Sequence, residues 1–205
     1  MESSAKHFWN WFKENNSAYL FLNTVDAGIK QQLLDTMQEK LHLFCDGIFF
    51  EIGGSRDQDQ ELIITAEGDV NYFAQVEELV NAAPQIPNWS FIAFIPPRDA
   101  DFEIDYEGVK LNANDLYFDP MESVNEPGKL GVRVYIPNYE IVRNDKWLRP
   151  AVFKVLDTVL GEKSFASDVH FVEIAQLSDD PVGDGFLHLS QLPKYISWKK
   201  SRTER

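Results

Sequence analysis

Residues 61–97 read ELIITAEGDVNYFAQVEELVNAAPQIPNWSFIAFIPP, and this stretch decides the fold. Residues 62–65 and 91–95 are short runs of β-branched and aromatic side chains, which predict two strands. Between the strands, apolar residues recur at helical spacing, and Pro84 and Pro87 end the predicted helix because proline does not fit inside a further turn. A strand–helix–strand crossover this compact predicts two parallel strands in one sheet.

The composition limits the classes of function. The chain has 205 residues, 44 % of them hydrophobic and 13 % aromatic, which predicts a folded protein with a sizeable core. Its formal net charge of −14 disfavours binding to nucleic acid or to an anionic membrane. Its only cysteine, Cys45, cannot form an internal disulfide. With no apolar run long enough to span a membrane, the sequence predicts a soluble cytoplasmic protein.

Elements on either side of the central stretch follow from hydrophobic periodicity. Two N-terminal helices are predicted within residues 1–45, the first containing the cluster Phe8, Trp9, Trp11 and Phe12. This cluster could stack on a ligand, but packing of the helix onto the body of the protein is the favoured interpretation. Sheet and helices are predicted within residues 48–175, with a hairpin loop at 53–60 in place of a phosphate loop.

The second half of the sequence also predicts strands and helices, with lengths that differ from those in the first half. Residues 130–136 and 169–175 predict strands, and residues 147–160 predict a helix that Gly161 caps. Residues 112–116 predict the start of another strand, residues 117–127 an irregular segment, and residues 189–198 a short helix or loop. The charged tail, 199–205, is predicted to fray.

These elements predict an α+β fold in a single domain, residues 1–205. The sheet is expected to be mixed and largely antiparallel, with the helices packed on one face. Strands around a helix in the first half are echoed in the second half. The specific hypothesis is two ferredoxin-like halves that share one sheet.

An acidic strand is the most distinctive local pattern. Four carboxylates alternate with apolar residues and therefore point to one side of a strand: Asp101, Glu103, Asp105 and Glu107. Such a row could attract a basic partner and speed its association. The other interpretation is a solvated face, or an edge strand that charge protects from aggregation.

Chemistry of other kinds has little support in the sequence. The four histidines are His7, His42, His170 and His188, and they fall on separate predicted elements without ligand spacing, so neither a metal nor another cofactor is predicted. Cys45 is expected to be buried and inert, because a helix C-terminus raises the pKa of a thiol. No nucleophile elbow occurs.

Several motifs together resemble a family of bacterial cytosolic proteins of unknown function. They are FWNWF at 8–12, FEIG at 50–53, ELIITAEG at 61–68, Ala83-Pro84 followed by Asn88-Trp89, and LDTVLGE at 156–162. The resemblance spans about residues 8–175. It implies a single-domain bacterial α+β protein, and it brings no activity or catalytic residue. Some small acidic bacterial proteins of similar construction neutralise toxins, an analogy of fold and charge.

Two functional hypotheses follow. The first is a non-enzymatic protein-binding module that uses the acidic row to hold a basic protein, as in a toxin–immunity pair. The second is an enzyme or small-ligand binder with an aromatic-lined pocket, for which Trp9, Trp11 and Trp89 are the candidates. The first hypothesis is favoured, because the sequence shows no catalytic constellation.

Overall fold

The computed structural model describes residues 4–54, 59–122 and 129–203. It confirms an α+β fold with mixed, largely antiparallel sheets. The chain divides into two compact units, Met1–Ile95 and Pro96–Arg205. In the described ranges, no helix has both the length and the apolar character that crossing a membrane requires.

The first unit consists of helices and a three-stranded sheet. Its elements are α1 (Ser4–Asn15), α2 (Ala27–His42), β1 (Phe49–Gly53), β2 (Gln60–Thr65), α3 (Phe73–Asn81) and β3 (Trp89–Ala93). The sheet has the order β1-β2-β3, with β1 antiparallel and β3 parallel to β2. The predicted strand–helix–strand crossover and the predicted hairpin are therefore confirmed. Residues 55–58 of the hairpin loop lie outside the described residues.

Aromatic side chains fill the core of this unit. Phe8, Trp9 and Phe12 of α1 are buried, and the Trp9 ring lies edge-on to Phe91 at 4.5 Å between centroids. The N-terminal cluster therefore packs α1 onto the sheet, as the favoured interpretation predicted. Helix α2 contributes less to this core, because its buried residues are Met37 and Leu41, while Ile29 is 52 % exposed.

The second unit contains a separate hairpin and a four-stranded sheet. Its strands are β4 (Glu103–Tyr106), β5 (Val109–Asn112), β6 (Tyr117–Glu122), β7 (Leu130–Ile136), β8 (Val169–Gln176) and β9 (Leu187–His188). Its helices are α4 (Tyr139–Val142), α5 (Leu148–Leu160), α6 (Glu162–Asp168) and α7 (Leu192–Thr203). Strands β4 and β5 pair only with each other in the described structure, and the larger sheet has the order β8-β7-β6-β9.

The two units contain the same strand–strand–helix–strand sequence. In each, an antiparallel pair (β1-β2 or β6-β7) is followed by a helix and a strand parallel to its neighbour. The predicted echo between the halves is thus present. The hypothesis of one shared sheet is wrong, because the described strands form a separate sheet in the first unit and two in the second. The single domain stays a prediction.

Strand β6 contradicts the prediction of an irregular segment over residues 117–122, and residues 123–127 of that prediction lie outside the described residues. Pro120 lies within β6, where it pairs with Val132. The Leu189 amide donates to the Leu116 carbonyl across the β9 side, so even-numbered residues of β6 direct their backbone groups away from β7. β9 pairs only residues 117 and 118, so the nitrogen of Pro120 faces an open edge and no ladder bond is lost.

Two further boundaries differ from the sequence prediction. Strand β5 ends at Asn112, whose side chain accepts a hydrogen bond from the Asn114 amide and turns the chain before the predicted strand could continue. The tail is helical to Thr203 rather than frayed. Lys199 and Lys200 hold it through Glu122, at 3.1 Å, and Asp168, at 2.7 Å. Residues 204–205 lie outside the described residues.

Gly131 on β7 provides a test of packing in the second unit. A Cβ atom at this position would overlap the ring of Phe171, its partner on β8. Gly131→Ala should therefore lower the free energy of unfolding by about 1–2 kcal/mol, because the ring must move. Gly53→Ala is the control, since its Cβ would lie 3.6 Å from the Glu61 carboxylate. Urea denaturation of both variants measures the difference, and equal stabilities would contradict the packing.

Tyr19 should make the first unit sensitive to alkali. Its ring is buried, its hydroxyl donates to the Leu33 carbonyl at 3.1 Å, and burial raises the pKa of the phenol. A raised folded-state pKa stabilises the fold below the unfolded-state value, about 10, and this stabilisation is lost as pH rises through the folded-state pKa. Denaturation at a series of pH values should show the stability advantage of wild type over Tyr19→Phe shrinking above about pH 10.

The matched control is Tyr106→Phe, at a ring that is 37 % exposed. If the stability advantage of wild type over Tyr19→Phe stayed constant between neutral and alkaline pH, the buried phenol would not be the cause of the alkali sensitivity.

Candidate functional site

The acidic residues predicted to bind a partner lie on and around the β4–β5 hairpin. Its strands pair from Glu103 opposite Asn112 to Tyr106 opposite Val109. Only Glu107 and Gly108 connect them, with φ values of 51° and 91°. Positive φ at both residues is typical of a type I′ turn, whose twist matches that of paired strands. The hairpin is therefore short and tightly closed.

One face of the hairpin is apolar and packs against α5. Ile104 lies opposite Leu111 on this face, and Val109 is also buried in the core of the second unit. Side chains alternate along a strand, so Glu103 and Asp105 project from the opposite face, where both are exposed. The predicted division into an apolar and an acidic face is present within β4.

The four carboxylates do not all belong to the strand. Glu103 and Asp105 lie on β4, whereas Asp101 precedes it and Glu107 forms the first position of the turn. The alternation in the sequence continues past both ends of the strand, and for this reason the pattern overestimated its length. All four residues are exposed. The acidic row, Asp101, Glu103, Asp105 and Glu107, thus consists of two carboxylates on β4 and one carboxylate beyond each end of the strand.

Only one member of the acidic row has a counter-ion among the described residues. The Asp105 carboxylate lies 3.7 Å from Lys110 Nζ on the facing strand, and it also accepts a hydrogen bond from the Gly108 amide at 3.1 Å. Asp101, Glu103 and Glu107 form no ion pair within the described ranges. The local field is therefore strongly negative.

Asp101 also lines a cavity of about 300 Å³ that sequence reasoning missed. Arg98, His188 and Ser190 contribute to the same lining. His188 Nε2 lies 2.8 Å from the carbonyl of Asn114, which can only accept, so the proton is on Nε2 and Nδ1 is an acceptor.

Two groups of Ser190 contact the acceptor nitrogen of His188. Its hydroxyl oxygen lies 2.7 Å and its amide nitrogen 3.3 Å from His188 Nδ1, and the histidine caps the turn at 189–191. A serine beside a histidine is the pairing that nucleophilic catalysis uses. Here the pair has a structural role, because the imidazole already closes the turn and joins it to Asn114. In the sequence, this pair is recognisable as a histidine two residues before a serine at the start of a helix.

Of the three tryptophans that the aromatic-pocket hypothesis names, Trp89 lies at a cavity. Trp9 is buried and its indole nitrogen donates to the Leu79 carbonyl at 2.8 Å, while Trp11 is half-buried. Trp89 is buried and lines a cavity of about 640 Å³ beside Ile86 and Phe91. Its indole Nε1 has no hydrogen-bond acceptor among the described residues.

In the described structure, we see no cluster of side chains that suits metal binding or thiol chemistry. Among residues 4–54, 59–122 and 129–203, no group of three histidine, cysteine or acidic side chains could hold a metal ion. Cys45 is half-buried, whereas the sequence predicted a buried thiol, and it lies three residues beyond the end of α2. Comparisons with protein-family profiles, with curated proteins and with solved structures find no match. The resemblance to a bacterial family stays a prediction.

The two buried tryptophans make a matched pair for mutation. Trp9→Phe removes the indole donor to the Leu79 carbonyl, which keeps only the Ala82 amide at 3.2 Å, whereas Trp89→Phe removes no hydrogen bond seen in the described structure. Trp9→Phe should therefore cost about 0.5–1.5 kcal/mol more of the free energy of unfolding than Trp89→Phe. Urea denaturation measures both values. A larger cost at Trp89 would show that its indole has a partner in solution.

Proposed function

We propose that this protein is a non-enzymatic protein-binding module that receives a basic protein on its acidic row. The observation that carries the proposal is the exposure of all four carboxylates, of which one has a counter-ion in the described structure. Unpaired charges on one side of a surface attract an opposite charge over a distance comparable to the Debye length, about 8 Å at physiological salt.

The hairpin suits this role because it is held firmly. Its apolar face is part of the core of the second unit, and its turn is only two residues long. A surface that is already ordered loses little conformational entropy on binding. The net charge of −14 acts in the same direction, since it raises the rate at which a basic protein arrives.

A toxin–immunity pair is the particular form that we favour. A basic toxin that acts on nucleic acid or membranes carries the surface that an acidic protein neutralises, and a bacterial cytoplasmic location would suit an immunity protein. The fold and the charge support this form by analogy.

Neutralising the acidic row tests the proposal. Affinity co-purification from cell extract at low and at high salt, followed by mass spectrometry, should identify a stoichiometric basic protein that high salt removes. The variant Asp101→Asn/Glu103→Gln/Asp105→Asn/Glu107→Gln should lower the association rate of that protein by about tenfold or more at low salt.

A second variant separates the position of the charges from their number. It neutralises four other exposed carboxylates, Glu14, Asp46, Asp179 and Asp184, and should associate nearly as fast as wild type. Equal rates for both variants would make the acidic row a determinant of solubility only. A clean protein at both salt concentrations would contradict partner binding.

A small-ligand site at Trp89 is the second candidate function. The buried indole donor without an acceptor, beside a cavity of about 640 Å³, is the observation that favours it. A thermal-shift screen of metabolites with hydrogen-bond acceptors tests it. A ligand of this site should raise the melting temperature of wild type and leave Trp89→Phe unchanged.

A further inference from the structure

A groove in the first unit is lined by the outer strand β1. Its volume is about 860 Å³, and the rest of its lining comes from α2, from residues 20–22 and 24, and from Gly54, Gln60 and Asn88. Phe50 and Ile52 contribute from the strand, and Leu34 and Gln38 contribute from the helix. β1 is the outer strand of the order β1-β2-β3, so one side of its backbone has no neighbouring strand.

The hydrogen-bond register shows which backbone groups face the groove. The Gln60 amide donates to the Asn88 carbonyl, and the Phe94 amide donates to the Ile64 carbonyl, so even-numbered residues of β2 bond to β3. The odd-numbered residues of β2 therefore bond to β1. Their partners on β1 are Phe49, Glu51 and Gly53.

It follows that Phe50 and Ile52 direct their amides and carbonyls outward, away from β2. The Ile48 carbonyl confirms this parity, because it accepts a hydrogen bond from Gln38 Nε2 on α2 at 3.1 Å. For Phe50 and Ile52, the described structure contains no hydrogen bond from outside the strand ladder to these four groups. The groove thus presents two donors and two acceptors at strand spacing.

We infer that this groove binds an extended segment of another protein, which adds to the first sheet as a fourth strand beside β1. Main-chain pairing with Phe50 and Ile52 would supply the affinity, and the groove would accept alternate side chains. Apolar side chains suit Leu20, Leu22 and Leu34, which contribute to the lining.

Charge selects the remaining side chains of the segment. The exposed charged residues of the lining are Asp35 and Glu51, whereas Lys30 is half-buried and already has a partner. The occupant is therefore a segment in which apolar residues alternate with lysine or arginine. This site is independent of the acidic row, because it lies in the other unit and uses the backbone.

A peptide library displayed on phage provides the probe. Random dodecapeptides are selected on the immobilised full-length protein, with removal of phage that bind the variant Ile52→Pro. Proline deletes the outward amide of residue 52 and leaves the β1–β2 ladder intact, and edge strands tolerate it. Ile52→Val is the matched control, since it keeps the amide.

We expect enriched sequences in which apolar and basic residues alternate. A synthetic peptide of this sequence should bind Ile52→Pro about tenfold more weakly than wild type, and bind Ile52→Val equally. N-methylation along the peptide should weaken binding at alternate residues only, because a paired strand directs every second amide toward its neighbour. A uniform effect of N-methylation would overturn strand addition.

A second variant keeps the test valid if Ile52→Pro unfolds. Asp35→Lys/Glu51→Lys reverses both exposed charges without changing the ladder and should weaken binding of the basic peptide about tenfold. No enrichment, or equal affinity for wild type and both variants, overturns the inference. A wild-type dimer that Ile52→Pro converts to monomer would assign the edge to a second copy of this chain and also overturn it.

The variant with a neutral acidic row distinguishes this inference from the proposed function. It should bind the peptide as wild type does, because its substitutions lie in the other unit. Loss of peptide binding in that variant would assign the peptide to the acidic row instead of the groove.

Discussion

Each unit contains two neighbouring strands that run parallel, and this pairing determines the rest of its construction. A tight turn cannot join parallel neighbours, so the chain must leave the sheet and return to it through a crossover. In the second unit the crossover contains helix α5, which is 13 residues long and has seven buried side chains. In the first unit α3 has nine residues and buries only Val76 and Leu79. The aromatic side chains of α1 supply the cover that α3 is too short to give.

This difference explains why the N-terminal helix is so rich in aromatic residues. Phe12 lies 5.0 Å from Trp89 and 5.7 Å from Phe91 between ring centroids, so this one side chain contacts two of the five residues of β3. Large flat rings bury more area per residue than aliphatic side chains. The helix therefore contributes to the sheet core from outside the repeated strand–strand–helix–strand sequence.

The sequence predicted those elements in which periodicity and burial agree. Strand β7 and helix α5 were predicted with nearly their observed bounds, because β7 is buried along its length, α5 has one buried face at helical spacing, and both end at clear turn residues. Strand β6, which contains Pro120, was not predicted, since no local pattern shows which side of a strand a backbone nitrogen faces. Glu107 caused the opposite error, a strand predicted too long, because it continues the acidic alternation in the sequence although its backbone already belongs to the turn.

The same reasoning separates the two candidate surfaces. The acidic row is visible in the sequence, because its charges are neighbours along the chain. The groove is not, because its lining combines β1, α2 and residues that are distant in sequence, from Leu20 to Asn88, and because the outward backbone groups depend on pairing with β2. Side-chain patterns therefore predict charged faces, whereas open backbone edges become visible only in the folded sheet.

The division of the chain after Ile95 also has a consequence for protein synthesis. Every helix and strand of the first core lies before this point, so that core is complete in sequence when Ile95 leaves the ribosome. Translation of residues 96–205 takes about 5–20 s at typical bacterial and eukaryotic rates. The first unit has that interval to fold alone, with the edge of β1 already formed.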